Sequence, residues 1–241
     1  MFINKKYTSD KKIYTILSSN FSTKYKGDYL EKLVTSGIGL LHLDLDGTTQ
    51  EVYQKYRKRG DLDLVIENIS EAVKIKKKLN LKYPIIETTM LVMSHNEHQT
   101  DDFIELSKKL GVDNHTLGKI QVNPNTSKKW LPKNKEFVYK TYEDNTRDQH
   151  CMWPWSGMVI NWNGGISPCC LIDDHEVDFG NFFEKNLYDI WNNEFFLSSR
   201  STFSSEKLNN KKLTICNICK NETHNKDLKR ASDSFALIKQ N

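Results

Sequence analysis

The sequence predicts an α/β protein in which parallel strands are covered by helices, followed by a smaller α+β region that carries the cysteines. Three observations point to this. Strand patterns near residues 13, 41, 85 and 117 alternate with helical ones, the β-α-β-α-β-α-β order of an α/β barrel or a doubly wound sheet. Residues 123–150, with Pro124, Pro132 and scattered lysines, break that rhythm and read as a bridge. All five cysteines then follow, at 151, 169, 170, 216 and 219. The division expected is residues 1–147 and residues 148–241.

Residues 13–17 form a short apolar strand. Residues 28–36 follow as a helix with Leu30, Leu33 and Val34 on one face and Gly37 past its end. Residues 41–46 alternate strictly, with leucines on one face and His42, Asp44 and Asp46 on the other. Thr48 and Glu51 have capping-box spacing ahead of a short helix that ends near Arg57. Asp61 caps a long helix to residue 80, with Leu62, Val65, Ile69, Ala72 and Val73 as its buried stripe. Residues 85–92 give the third strand. A helix runs from Thr100 to its stop at Gly111, with Asp101 and Asp102 in the first turn. Residues 117–122 give a weaker fourth strand.

Residues 158–162 and 165–169 read as a hairpin around an Asn163-Gly164 two-residue turn. A helix over residues 187–199 buries Leu187, Ile190, Trp191 and Phe195. A polar stretch leads to Cys216-x-x-Cys219.

The 241 residues carry a net charge of +4, from 35 basic and 31 acidic side chains that are interspersed. The densest basic run, residues 74–78, reads as a solvated helix face, so no nucleic-acid partner is expected. The N-terminus lacks the apolar region of a signal peptide, and no apolar run approaches 18 residues, so a cytoplasmic protein with no membrane partner is expected. An odd cysteine count in such a chain argues against a disulfide scaffold.

Cys151, Cys169, Cys216 and Cys219 converge from three places, as a tetrahedral metal or an iron–sulfur cube requires. The residues alone leave three readings open: buried core thiols, a structural zinc site, or an iron–sulfur cluster. Trp153, Trp155 and Trp162 are expected to form core around such a cluster.

Cys151–x17–Cys169 with G-x-S-P-C after the turn, Gly180-Asn181, the L-x-D-I-W-N of residues 187–192 and the C-x-x-C together resemble the SPASM/twitch domain. That domain is the C-terminal module of many radical S-adenosylmethionine (SAM) enzymes. The front half resembles the same family. Residues 43–69 are similar to its S-L-D-G-x5-Y-x3-R-x2-G segment, with Asp44 at the serine position and Arg57 at the arginine. Ser19-Asn20 stands where the family often has T-N-G, with Phe21 replacing the glycine, and Asn96 matches an asparagine trailing the fifth strand.

The resemblance implies an incomplete (βα) partial TIM-type barrel followed by a small SPASM/twitch domain. It implies one auxiliary [4Fe–4S] cluster on Cys151, Cys169, Cys216 and Cys219, with Cys170 as neighbour or substitute. It also implies that Asn20, Asp44, Arg57 and Asn96 lie on the SAM or substrate side, Arg57 placed to pair a carboxylate.

The family's C-x-x-x-C-x-x-C loop has no counterpart, since no cysteine precedes residue 151. This sequence alone is therefore not expected to cleave SAM. SAM would join only if another polypeptide supplied the missing barrel strands. A small-molecule, sugar or peptide substrate and an electron donor are the other partners implied.

The alternative is a non-catalytic binding module with a structural zinc site made of four cysteines. His95 and His98 have a metal-like spacing but read as solvated loop residues. Asp173, Asp174 and His175 read equally as proton-transfer groups or as a surface loop.

Overall fold

In a computed structural model, residues 11–122, 127–138, 151–170, 172, 174–204 and 212–217 are described. The chain divides into two compact units, residues 1–139 and 140–241.

Among its described residues the N-terminal unit forms a four-stranded, all-parallel sheet in sequential order, β1 (Ile16–Ser19), β2 (Leu40–Asp44), β3 (Ile85–Leu91) and β4 (Asn114–Gly118). Its connections carry helices α1 (Tyr29–Val34), α2 (Gln50–Tyr56), α3 (Leu62–Lys78) and α4 (Thr100–Leu110). Leu41, Leu43, Leu45, Ile86 and Met90 on one face pack with Leu30, Val34, Tyr53, Leu62, Val65, Ile69 and Phe103 from the helices in a single core. The register places His42 beside Glu87, and Asp44 beside Thr89, on the opposite face.

Sequential parallel strands with one apolar, helix-covered face are consistent with an incomplete (βα) barrel. Four strands do not close one. A doubly wound sheet would bury both faces under helices.

Several boundaries differ from those the sequence predicts. The first strand starts at Ile16, where Leu17 to Ser19 pair with Leu41 to Leu43. The fourth strand is Asn114–Gly118 and not residues 117–122, because Asn114 and Thr116 hydrogen-bond Glu87 across the sheet. Those polar residues lie on the helix-free face, so the apolar pattern did not reveal them. No Thr48–Glu51 capping box forms. Thr49 is the N-cap of α2, Thr48 N–H donates to Gln99 Oε1, and Glu51 pairs with Lys55.

The Asp61 cap does form, accepting from Leu64 N–H at 3.2 Å. Gly111, at φ 73°, closes α4 in the left-handed conformation that glycine adopts without steric cost. Within the basic run, Lys76 is not solvated. It is 8% exposed and pairs with Asp113 at 2.6 Å.

The C-terminal unit contains α5 (Trp153–Ser156), a small hairpin of β5 (Val159–Ile160) and β6 (Ile166–Ser167), α6 (Leu187–Trp191) and α7 (Glu194–Phe203). Asn161 pairs with Gly165 around three residues, and only Gly164, at φ 83°, is left-handed. The turn is therefore a three-residue one with glycine at its left-handed position, not the two-residue type, which needs positive φ at both central residues.

The predicted single helix over residues 187–199 is two helices. The Asn193 side chain accepts from Phe195 and Phe196 N–H and donates to Phe179 O, starting α7 afresh. Ile166, Val177, Phe179, Ile190, Phe196, Ile215 and Cys216 form this unit's core.

Candidate functional site

In the N-terminal unit the family-like segment Asp46-Gly47-x5-Tyr53-x3-Arg57-x2-Gly60 proves to be one packed object. Tyr53 is fully buried. A Cβ on Gly47 would meet Tyr53 N at 2.8 Å, and one on Gly60 would meet the Tyr53 ring at 2.6 Å and Arg57 O at 2.8 Å. Both glycines are thus required by close approach to the tyrosine. Gln50 ties the segment's two ends, donating to Gly60 O and accepting from Leu62 N–H, each at 2.8 Å.

This packing delivers Arg57 to the C-terminal end of β2. Its Nε donates to Asp46 Oδ2 at 2.6 Å and its terminal nitrogen to Asp44 Oδ2 at 2.8 Å. Asp46 is fully buried, and its other oxygen accepts from Leu91 N–H at 3.0 Å. Burial pushes the Asp46 carboxyl above its usual range, with the Arg57 charge and the Leu91 N–H pulling against it. For Arg57, burial alone would lower the pKa; the Asp46 carboxylate and then Asp44 overcome that, and the net shift is upward.

Asn96 is fully buried and stitches the same region together. It accepts from Met93 N–H at 2.7 Å and donates to Asp46 O and Leu91 O at 3.1 and 2.9 Å. Asn20 accepts from Ser22 N–H and Ser22 Oγ in the turn after β1. Phe21, standing where the family often has glycine, adopts φ 51° with its ring buried. The structure therefore brings Asp44, Arg57 and Asn96 around Asp46, and leaves Asn20 bonded within its own turn.

Sequence reasoning missed two features here. The first is Glu87, whose Oε1 lies 2.9 Å from His42 Nδ1; a charged residue within a strand that otherwise carries only apolar residues and threonines was its available signal. The second is His95, which is not a solvated loop residue. Both of its ring nitrogens are buried with no hydrogen-bond partner among the described residues, and its ring meets Trp130 edge-on at 5.2 Å. Burial pushes its pKa down, and Lys55 and His98 push the same way.

In the C-terminal unit the residues flanking the cysteines explain the local motif. Ser167 donates to Asp178 Oδ1 at 2.6 Å, and Asn161 Nδ2 bonds both Ser167 Oγ at 2.9 Å and Asp178 at 3.2 Å. A Cβ on Gly165 would lie 1.8 Å from Asp178 Oδ2, so only glycine admits that carboxylate. Ile166 exchanges backbone bonds with Phe179 and Gly180, and Gly165 bridges Asn181. G-x-S-P-C and the later Gly-Asn are thus one interlocked corner from which Cys169 emerges.

Cys151 and Cys169 are half-buried, Cys170 is exposed and Cys216 is buried. Cys219 and Asp173 lie outside the described residues. Four thiols are chemically the right donor set for a thiolate-bound cluster. Among the described residues, however, no three His, Cys, Asp or Glu side chains gather into a metal-holding group. The tryptophans are not core: Trp153 and Trp155 are 39% exposed and Trp162 is 89% exposed. Asp174 caps the turn containing His175, whose Nδ1 lies 3.7 Å from Asp178. Among the described residues no helix is long and apolar enough to cross a membrane.

Residues 151–220 match the model of SPASM, an iron–sulfur cluster-binding domain. The chain is 24% identical over 178 residues to a probable GTP 3',8-cyclase of Methanocaldococcus jannaschii, covering 61% of this chain and 56% of that protein. It is 27% identical over 82 residues to GTP 3',8-cyclases of Clostridium botulinum, covering 34% of this chain and 24% of theirs. The chain therefore spans about half the length of the first of these relatives and about a quarter of the others. Residues 151–220 are therefore similar to a SPASM iron–sulfur cluster-binding domain, and the chain is distantly similar to GTP 3',8-cyclases.

Proposed function

We propose that this chain is the C-terminal portion of a radical SAM/SPASM-type enzyme that holds one auxiliary [4Fe–4S] cluster. Cys151, Cys169, Cys216 and Cys219 would be its ligands, with Cys170 as the alternate. The observation that carries the reading is the SPASM match over residues 151–220, whose limits enclose all five cysteines. The interlocked corner supports it, because Ser167, Asp178 and Gly165 hold the backbone from which Cys169 emerges.

When bound, such a cluster exchanges single electrons or ligates a substrate. The protein's own contribution is positioning. Arg57, fixed between Asp44 and Asp46, presents a rigid cation at the end of β2 on the sheet's helix-free side, which we take as the SAM or substrate side together with Asn20 and Asn96. SAM cleavage would need a C-x-x-x-C-x-x-C segment and barrel strands in addition to these residues, and turnover would need an electron donor. The substrate would be a sugar, a peptide or a small metabolite, and the relatives' names add GTP to that range.

Anaerobic reconstitution of the full chain with iron and sulfide tests this. A brown protein with about four irons and four sulfides per chain is expected, as a thiolate-bound cube requires. A colourless protein that keeps about one zinc would overturn it in favour of a structural four-cysteine site.

A further inference from the structure

On the helix-free face of the sheet, His42 of β2 sits in register with Glu87 of β3, which in turn faces Asn114 of β4. Glu87 Oε1 is 2.9 Å from His42 Nδ1. Its other oxygen accepts from Asn114 Nδ2 at 2.5 Å and from Thr116 Oγ1 at 3.2 Å. Where the Glu87 carboxylate accepts this bond, Nδ1 carries a proton, and in the neutral form of the ring the lone pair lies at Nε2. Asp44 Oδ1 lies 3.9 Å from Nε2, beyond hydrogen-bonding distance, and Asp44's other oxygen is taken by Arg57. The His42 side chain remains 27% exposed, so the ring is reachable from this face. A base held by a third group that fixes its tautomer is the arrangement used for proton transfer.

We propose that His42, oriented by Glu87, is a proton-transfer residue for a ligand bound on this face, and that the group it deprotonates is an ammonium. In the step, an N–H bond of the ligand's ammonium breaks, its electron pair stays on nitrogen to leave a neutral amine, and the proton bonds to Nε2. The resulting imidazolium stands between the carboxylates of Glu87 and Asp44, which stabilise it. It returns the proton as the ligand leaves.

The ligand class follows from the charges. With the ring neutral, the carboxylates of Asp44, Asp46 and Glu87 outnumber the Arg57 cation, so the immediate position of His42 favours a ligand's neutral or cationic groups over any phosphate or carboxylate that the same ligand carries elsewhere. The inference rests on the reading above that this face is the ligand side.

The test uses the full chain labelled with 15N-histidine. Long-range 1H–15N correlations should show His42 as the Nδ1–H tautomer. Diethyl pyrocarbonate, followed by peptide mass spectrometry, should acylate His42 several-fold more slowly in Glu87→Gln than in the parent, with exposed His98 as the unchanged internal control. Glucosamine, which carries an ammonium in its protonated form, should protect His42 saturably, whereas inorganic phosphate should not. An Nε2–H tautomer, equal rates in parent and Glu87→Gln, no protection by glucosamine, or protection by phosphate would each overturn the proposal. None of these readouts involves iron, so they fail or succeed separately from the cluster.

Discussion

Replacing Arg57 by leucine should destabilise the N-terminal unit by about 3–5 kcal/mol at neutral pH, the range for leaving one member of a buried ion pair alone. Asp46 is fully buried, and without the guanidinium its carboxylate keeps, among the described residues, the Leu91 N–H as its hydrogen-bond donor. The loss should also depend on pH, with a definite sign. Burial already raises the Asp46 pKa in the folded state, and Arg57 opposes that rise.

Removing Arg57 raises it further, so the folded variant binds a proton more tightly than the unfolded chain does. Stability from this group is present at low pH and is lost as pH rises through the folded-state value. Urea unfolding of Arg57→Leu at about pH 5.5 should therefore recover part of the deficit seen at about pH 7.5. The double variant Asp46→Asn with Arg57→Leu carries no buried charge at this position and should exceed the single variant at both pH values. An Arg57→Leu protein within about 1 kcal/mol of the parent, or a double variant no better than the single, would contradict the pairing.

Phe196→Ala should have the second large effect, about 3–5 kcal/mol for emptying a fully buried phenylalanine site. Phe196 meets Phe179 edge-on at 5.0 Å and Trp191 at 4.9 Å, and it shares a core with Ile166, Ile215 and Cys216. The cavity therefore opens beside a proposed ligand. Total stabilities of small domains are commonly only about 5–15 kcal/mol, so the loss is a large share of what holds this unit together. Metal binding adds its free energy to folding, and a cavity beside Cys216 should weaken that binding as well, so the reconstituted protein should show the larger drop in melting temperature and the apo protein the smaller. Equal drops with and without iron and sulfide would separate the core from the cluster.

The sheet was legible in the sequence where apolar alternation and capping residues coincide, as in Leu41, Leu43 and Leu45 of β2 and in Asp61 at the start of α3. It was misread where polar residues hold the structure. Asn114 and Thr116 belong to β4 because Glu87 bonds them, and Asn193 breaks an apparently continuous helix because its side chain caps α7 and holds Phe179.

The Arg57 site was legible as a motif, but its reason was not. Only the structure shows Gly47 and Gly60 closing on Tyr53. The tryptophans near the cysteines were misplaced because aromatic content gives no direction; Trp162, within the hairpin turn, is exposed. The Glu87–His42 pair joins residues 45 positions apart, a proximity that only parallel register creates.

Iron and acid-labile sulfide counted per chain after anaerobic reconstitution, across single alanine variants of the five cysteines, test the central claim most directly. Cys151→Ala, Cys169→Ala, Cys216→Ala and Cys219→Ala should each lose the brown chromophore and most of the iron, while Cys170→Ala should retain both. Undiminished iron and sulfide in Cys216→Ala would show that the cluster does not rest on these thiols.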